Sequence, residues 1–185
     1  LGDRVTEQWT FEIREALPDD WASAPAVAIG GPAGAADLFV LAERAGARRR
    51  FDLHYLETDY RHPPHATFWR GWFAFGFGGR AILLREEGGA RIEIDLGCYF
   101  GDFLPSEEWL LVTSGQGIVR VDPEGRIVWR NDELGLDGVL IFDVEGDVID
   151  GQGEWDPPGG WEDFLVSLET GDSLEELPDD ETSDA

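Results

Sequence analysis

The chain predicts a mainly β fold: an antiparallel sheet or sandwich of consecutive hairpins, a partial propeller-like meander, with little helix. Short apolar–polar alternating runs recur along it. Glycine-bearing turns separate them, and no capped amphipathic pattern extends beyond about ten residues. Together these imply about ten strands.

Residues 5–14 alternate, with Val5, Trp9, Phe11 and Ile13 on one face and Thr6, Gln8, Thr10, Glu12 and Arg14 on the other. Only Glu7 spoils the apolar side, and Pro18 ends this half-buried strand. Residues 19–36, rich in Ala, Gly and Pro, hold at most a short helix. Two strands follow at 37–44 and 50–57, joined through Ala45-Gly46-Ala47, with a helix as the alternative for the first. Pro63 and Pro64 make 60–67 a loop.

From Trp69 the pattern becomes regular. Residues 69–77 form an aromatic strand turned by Gly78-Gly79, and 80–85 pairs with 91–96. Residues 109–113, 118–121 and 126–130 follow, the last two joined by Asp122-Pro123-Glu124-Gly125. Proline fixes φ at the second position of that turn, and glycine supplies positive φ at its end. Strands at 139–144, 148–151 and 164–168 complete the series, leaving 152–161 as a loop.

An internal echo runs through this region. Gly79 and Gly117 are 38 positions apart, as are Leu96-Gly97 and Leu134-Gly135. Residues 72–170, and Gly117 to Trp129 above all, resemble the blade hairpins of β-propeller proteins, whose repeat is about 40 residues. That resemblance implies blade-like hairpins. A closed propeller needs at least about four blades of four strands, and the N-terminal third shows no repeat. The expectation is therefore a curved sheet or sandwich. Residues 1–174 are read as one β-rich domain, and 175–185, with six acids and no base, as a disordered acidic tail.

Charge is the strongest functional clue. The chain has no lysine; residues 1–100 carry a formal −4 and residues 101–185 a formal −21, of a total −25. Phosphate and anionic membrane recognition need clustered cations, so nucleic acid and membrane are not expected partners. A basic protein, a metal ion or a high-salt habitat would suit such a surface. No run approaches a membrane span, and Cys98, the sole cysteine, forms no internal disulfide, so a cytoplasmic compartment is the expectation. Cys98 reads as buried filler in an aromatic setting. The run Arg48-Arg49-Arg50 is too short for a nucleic-acid patch and suggests pairing with the acidic half.

No catalytic motif stands. Gly171-Asp172-Ser173-Leu174 spells the signature of the GDSL serine hydrolases, but no histidine follows His65, and an acidic hairpin turn explains the same letters. His62-Pro63-Pro64-His65 with Asp59 has zinc-like spacing, yet lacks a third or fourth ligand. Residues 143–150 resemble a calcium loop in composition but miss the EF-hand register. No metal or other cofactor is expected.

The leading expectation is an acidic protein-binding module, an inhibitor or immunity protein neutralising a basic, nuclease-like or nucleic-acid-binding partner. Its binding residues would be Asp143, Glu145, Asp147, Asp150, Glu154, Trp155, Asp156 and Trp161. One alternative is a carbohydrate-binding or hydrolytic β-domain using Trp155, Trp161 and nearby carboxylates. Another is an accessory β-domain of a salt-adapted organism, its acidity serving hydration.

Overall fold

A computed structural model describes residues 8–31 and 34–174. They form fifteen strands in four sheets, and the only helix among them is a short 3-10 turn at Asp19–Trp21. Sheet 1 comprises β1 (Thr10–Arg14), β2 (Ala26–Gly30), β3 (Leu38–Arg44) and β4 (Ala47–His54), in the order β1-β3-β4-β2. Its β2 runs parallel to β4; the other pairings in the four sheets are antiparallel.

The remaining sheets are simple meanders. Sheet 2 holds β5 (His65–Trp69), β6 (Trp72–Phe77), β7 (Arg80–Arg85) and β8 (Arg91–Asp95). Sheet 3 holds β9 (Phe100–Pro105), β10 (Leu110–Ser114), β11 (Ile118–Val121) and β12 (Ile127–Asn131). Sheet 4 holds β13 (Val139–Glu145), β14 (Val148–Asp156) and β15 (Gly160–Ser167). The expected β character and consecutive hairpins are thus present.

Several local expectations are corrected. The aromatic stretch 69–77 is two strands, because Arg70 and Gly71 adopt φ of 51° and 83° and make a two-residue hairpin turn. The expected loop 60–67 ends inside β5, which starts directly after the two prolines. Strand β9 was invisible because a register shift opposite Val112 and Ser114 breaks its alternation. Ala-rich β2 has weak strand propensity and is held as an edge by its pairing with β4. The supposed loop 152–161 is largely strand, since β14 continues to Asp156 and β15 begins at Gly160. The N-terminal third does build a four-stranded sheet, though with a different strand order. The expected acidic tail lies outside the described residues.

The sheets stack in sequence order, each face-to-face with the next. Period-2 alternation drives this. In β6, Phe73, Phe75 and Phe77 enter the core against sheet 1, while Trp72 and Ala74 enter the core against sheet 3. Likewise Leu110 and Val112 of β10 face sheet 2, and Leu111 faces sheet 4. Strands β6, β7 and β10 of the two middle sheets are therefore apolar on both faces, the pattern of doubly covered strands. Each core joins neighbouring sheets, and none of the three contains residues of both sheet 1 and sheet 4. Close approach is tuned by glycine: a Cβ at Gly76 would clash with the Phe100 ring of sheet 3.

Candidate protein-binding site

Sheet 4 is the last of the stack among the described residues, and its two faces have different surroundings. Register places Val139, Ile141, Val144, Ile149, Phe164 and Val166 toward sheet 3. The opposite face carries Leu140, Gln152 and Asp163 in one row and Asp143, Asp150 and Leu165 in the next. Glu145 and Val148 extend it. Phe142 occupies the register shift between Ile141 and Asp143, which turns it outward as well. Leu140 is 50% exposed and Phe142 58% exposed. A shallow depression of about 430 Å³ lies among Asp143, Glu145, Val148, Asp150 and Leu165.

The structure does not bring all eight expected binding residues to one place. Asp143, Glu145 and Asp150 share the outward face and are exposed. Asp147 is committed to structure: its carboxylate accepts bonds from Ser167 Oγ at 2.8 Å and the Glu169 amide at 2.7 Å. Glu154 accepts the Gly159 amide at 2.6 Å and so closes the β14–β15 hairpin, with Asp156 paired to Gly160 beside it. The two tryptophans part company. Trp161 packs over Gly138 and lines a cavity with Tyr99, Asp102 and Leu140. Trp155 lines a different cavity with Leu134, Phe164 and Leu174.

Sequence reasoning missed Leu140, Phe142, Leu165 and Asp163. The signal was present, because 139–142 is apolar at every position, as in a strand with two covered faces. Among the described residues only one of those faces is covered.

Electrostatics sharpen the contrast. The last basic residue is Arg130, which pairs with Asp132 at 3.0 Å. Every ion pair among the described residues uses carboxylates up to Asp132 and none beyond. Arg48 pairs with Asp20 and Glu43, and Arg50 with Asp52, so these arginines neutralise their own half and not the acidic one. Sheet 4 is left with uncompensated negative charge.

The candidate metal ligands are dispersed. Asp59 engages the buried Arg80 at 2.8 Å, His62 stacks on Tyr99 at 4.0 Å between centroids, and His65 Nδ1 meets Asp102 Oδ1 at 2.5 Å. Among the described residues no group of three or more His, Cys, Asp or Glu side chains is placed to hold an ion. The Asp102 partner of His65 was not legible, because 37 positions separate them. The nearby Thr113 is 2% exposed, and its hydroxyl accepts the Asp102 amide at 2.8 Å. Cys98 is buried as expected, and Ser173 sits in the turn after β15, bridged to Val166. No helix among the described residues is long and apolar enough to cross a membrane.

Tyr99 reports on the junction between sheets 3 and 4. Burial, then the neighbouring Asp137 charge, pushes its phenol up to about 12, and its hydroxyl donates to the Asp137 carbonyl. A phenol raised in the folded state favours the neutral form. Its contribution to stability should be complete below the unfolded value of about 10 and decline as pH rises toward 12. Ultraviolet titration should show tyrosinate absorbance from Tyr99 only near that upper limit, and Tyr99→Phe should remove this late phase.

Comparison with known proteins finds no matching family model and no matching curated protein. Among solved structures, apo AztD from Citrobacter koseri matches with a TM-score of 0.48 and 16% identity, covering 81% of this chain and 45% of that one. A second crystal structure of Citrobacter koseri AztD gives a TM-score of 0.46 and 17% identity, covering 75% and 41%. The chain thus spans less than half the length of either structure it resembles.

Proposed function

We propose that this chain is an acidic protein-binding module whose outward sheet 4 face engages a basic protein, in the manner of an inhibitor or immunity protein. One observation carries the reading: Asp143, Glu145 and Asp150 have no ion-pair partner among the described residues and lie on a face that also exposes Leu140 and Phe142. Carboxylates at such a surface attract a cationic partner over a Debye length of about 8 Å at physiological salt. Exposed apolar side chains beside them supply the anchors that slow dissociation. We further read the four stacked sheets as blades of a propeller arc, which would explain why the outward face of sheet 4 carries apolar side chains among its carboxylates.

The test uses a purified basic nuclease as the partner and follows association by stopped flow. The rate constant should fall at least about tenfold between about 50 and about 500 mM salt. Asp143→Lys with Asp150→Lys should lower it further at low salt, whereas Phe142→Ala should mainly raise the dissociation rate. Association that ignores salt, or preference for acidic proteins in the same assay, would show the charge to be solvated surface only.

A further inference from the structure

Sheets 1 to 3 have four strands each, whereas sheet 4 has three among the described residues. Among the described residues a fourth is only begun. After β15 the chain reverses, Ser173 forms an antiparallel bridge to Val166, and two backbone bonds flank it. The Ser167 amide donates to the Asp172 carbonyl at 2.9 Å, and the Leu174 amide to the Leu165 carbonyl at 2.7 Å. Because backbone polar groups alternate sides along a strand, those of Trp161 and Asp163 point to the same outer edge as those of Leu165 and Ser167. A groove of about 530 Å³ runs beside this edge, lined by Glu133, Leu134, Trp155, Asp163, Phe164 and Leu174.

We propose that the β15 edge from Trp161 to Phe164 accepts a strand from a partner protein, completing sheet 4 by β-augmentation, and that this strand alternates apolar residues with Lys or Arg. Main-chain bonds would supply affinity, and the groove would read alternate side chains. Leu134, Trp155, Phe164 and Leu174 provide the apolar bedding. Glu133, Glu162 and Asp163 demand cations, since residues 131–174 contain no basic residue.

The chain's own continuation is a poor occupant. Carried on in the register of the Val166–Ser173 bridge, it would set Glu176 opposite Asp163, a like-charge pair. It would also set Pro178 opposite Trp161, where a residue without an amide hydrogen cannot donate to the Trp161 carbonyl. This inference stands on strand count and edge geometry, so it does not depend on the outward face being a docking surface.

Residue-resolved amide exchange on the full chain tests it, with a short peptide alternating valine and lysine as the probe. The Trp161 and Asp163 amides should exchange freely without peptide and slow at least about tenfold with it. Those of Glu162 and Phe164, turned toward β14, should change little. A valine–glutamate peptide should have no effect, and Glu162→Lys with Asp163→Lys should reverse the preference. Edge amides already slow in the free chain, and released on deleting residues 175–185, would show that the chain occupies its own edge. Equal protection by the acidic peptide, or no protection by the basic one, would equally overturn the proposal. Unchanged edge amides alongside salt-dependent binding at Leu140 and Phe142 would sink the edge and leave the outward-face reading standing.

Discussion

Phe75→Ala should cost about 3–5 kcal/mol of folding stability, the range for truncating a fully buried aromatic side chain. Phe75 has no exposed surface and lies 4.6 Å from Phe51 between ring centroids, in the core that joins sheets 1 and 2. It is flanked on its own sheet by Ala66 and Ile82 in register. Rigid strands on both sides restrict collapse, so most of the ring volume would remain as a cavity. Phe75→Leu should lose much less, about 1–1.5 kcal/mol, because volume is better kept. Urea titration of the two variants measures the difference. A loss below about 1 kcal/mol for the alanine variant would mean that sheet 1 contributes little to holding sheet 2.

Asp59→Ala should be comparably damaging, at about 3–5 kcal/mol, through charge and not volume. The Asp59–Arg80 pair is nearly dry, with 6% and 10% of the side chains exposed, and both Arg80 Nη2 contacts go to Asp59, at 2.8 and 3.0 Å. Asp59 also accepts the Leu56 amide at 2.6 Å and lies directly under Gly78. Removing it leaves a guanidinium whose Nε already has no partner, held only by the half-exposed Glu93 at 3.3 Å. Arg80→Met with Asp59→Leu should recover most of the loss, because apolar residues of similar volume often replace a buried pair at no cost. A double-mutant cycle by chemical denaturation checks both statements. Additive losses would show that the two residues act independently.

The legible part of the fold was its alternation. Trp9, Phe11 and Ile13 face the sheet 1–sheet 2 core as their spacing requires, and the hairpin turn at Asp122 to Gly125 forms between β11 and β12. What escaped was structure imposed by neighbours. β9 carries a register irregularity, β2 is a small-residue edge, and β5 starts directly after a proline pair; none announces itself by period. At the proposed site, acidity singled out sheet 4, but carboxylate direction depends on register. Asp143 and Asp150 stand opposite each other on the open face, while Asp147, between them in sequence, turns back to bind Ser167 and Glu169. Alternation alone cannot pass through the β13 register shift, so Phe142 and Asp143 both face outward where simple counting would separate them.

Stacking in sequence order has a consequence for cooperativity. Sheets 2 and 3 each take part in two cores, while sheet 1 and sheet 4 each take part in one. Stability in such an array behaves as a sum of intrinsic and nearest-neighbour terms, so its ends open before its middle. Of the two ends, sheet 4 also bears unscreened mutual repulsion among its carboxylates, which grows as ionic strength falls. The four described sheets should therefore open as a gradient, with a firm interior and a last sheet that salt tightens. A cationic partner seated on that sheet would supply the missing neighbour term and make the last sheet as cooperative as the rest.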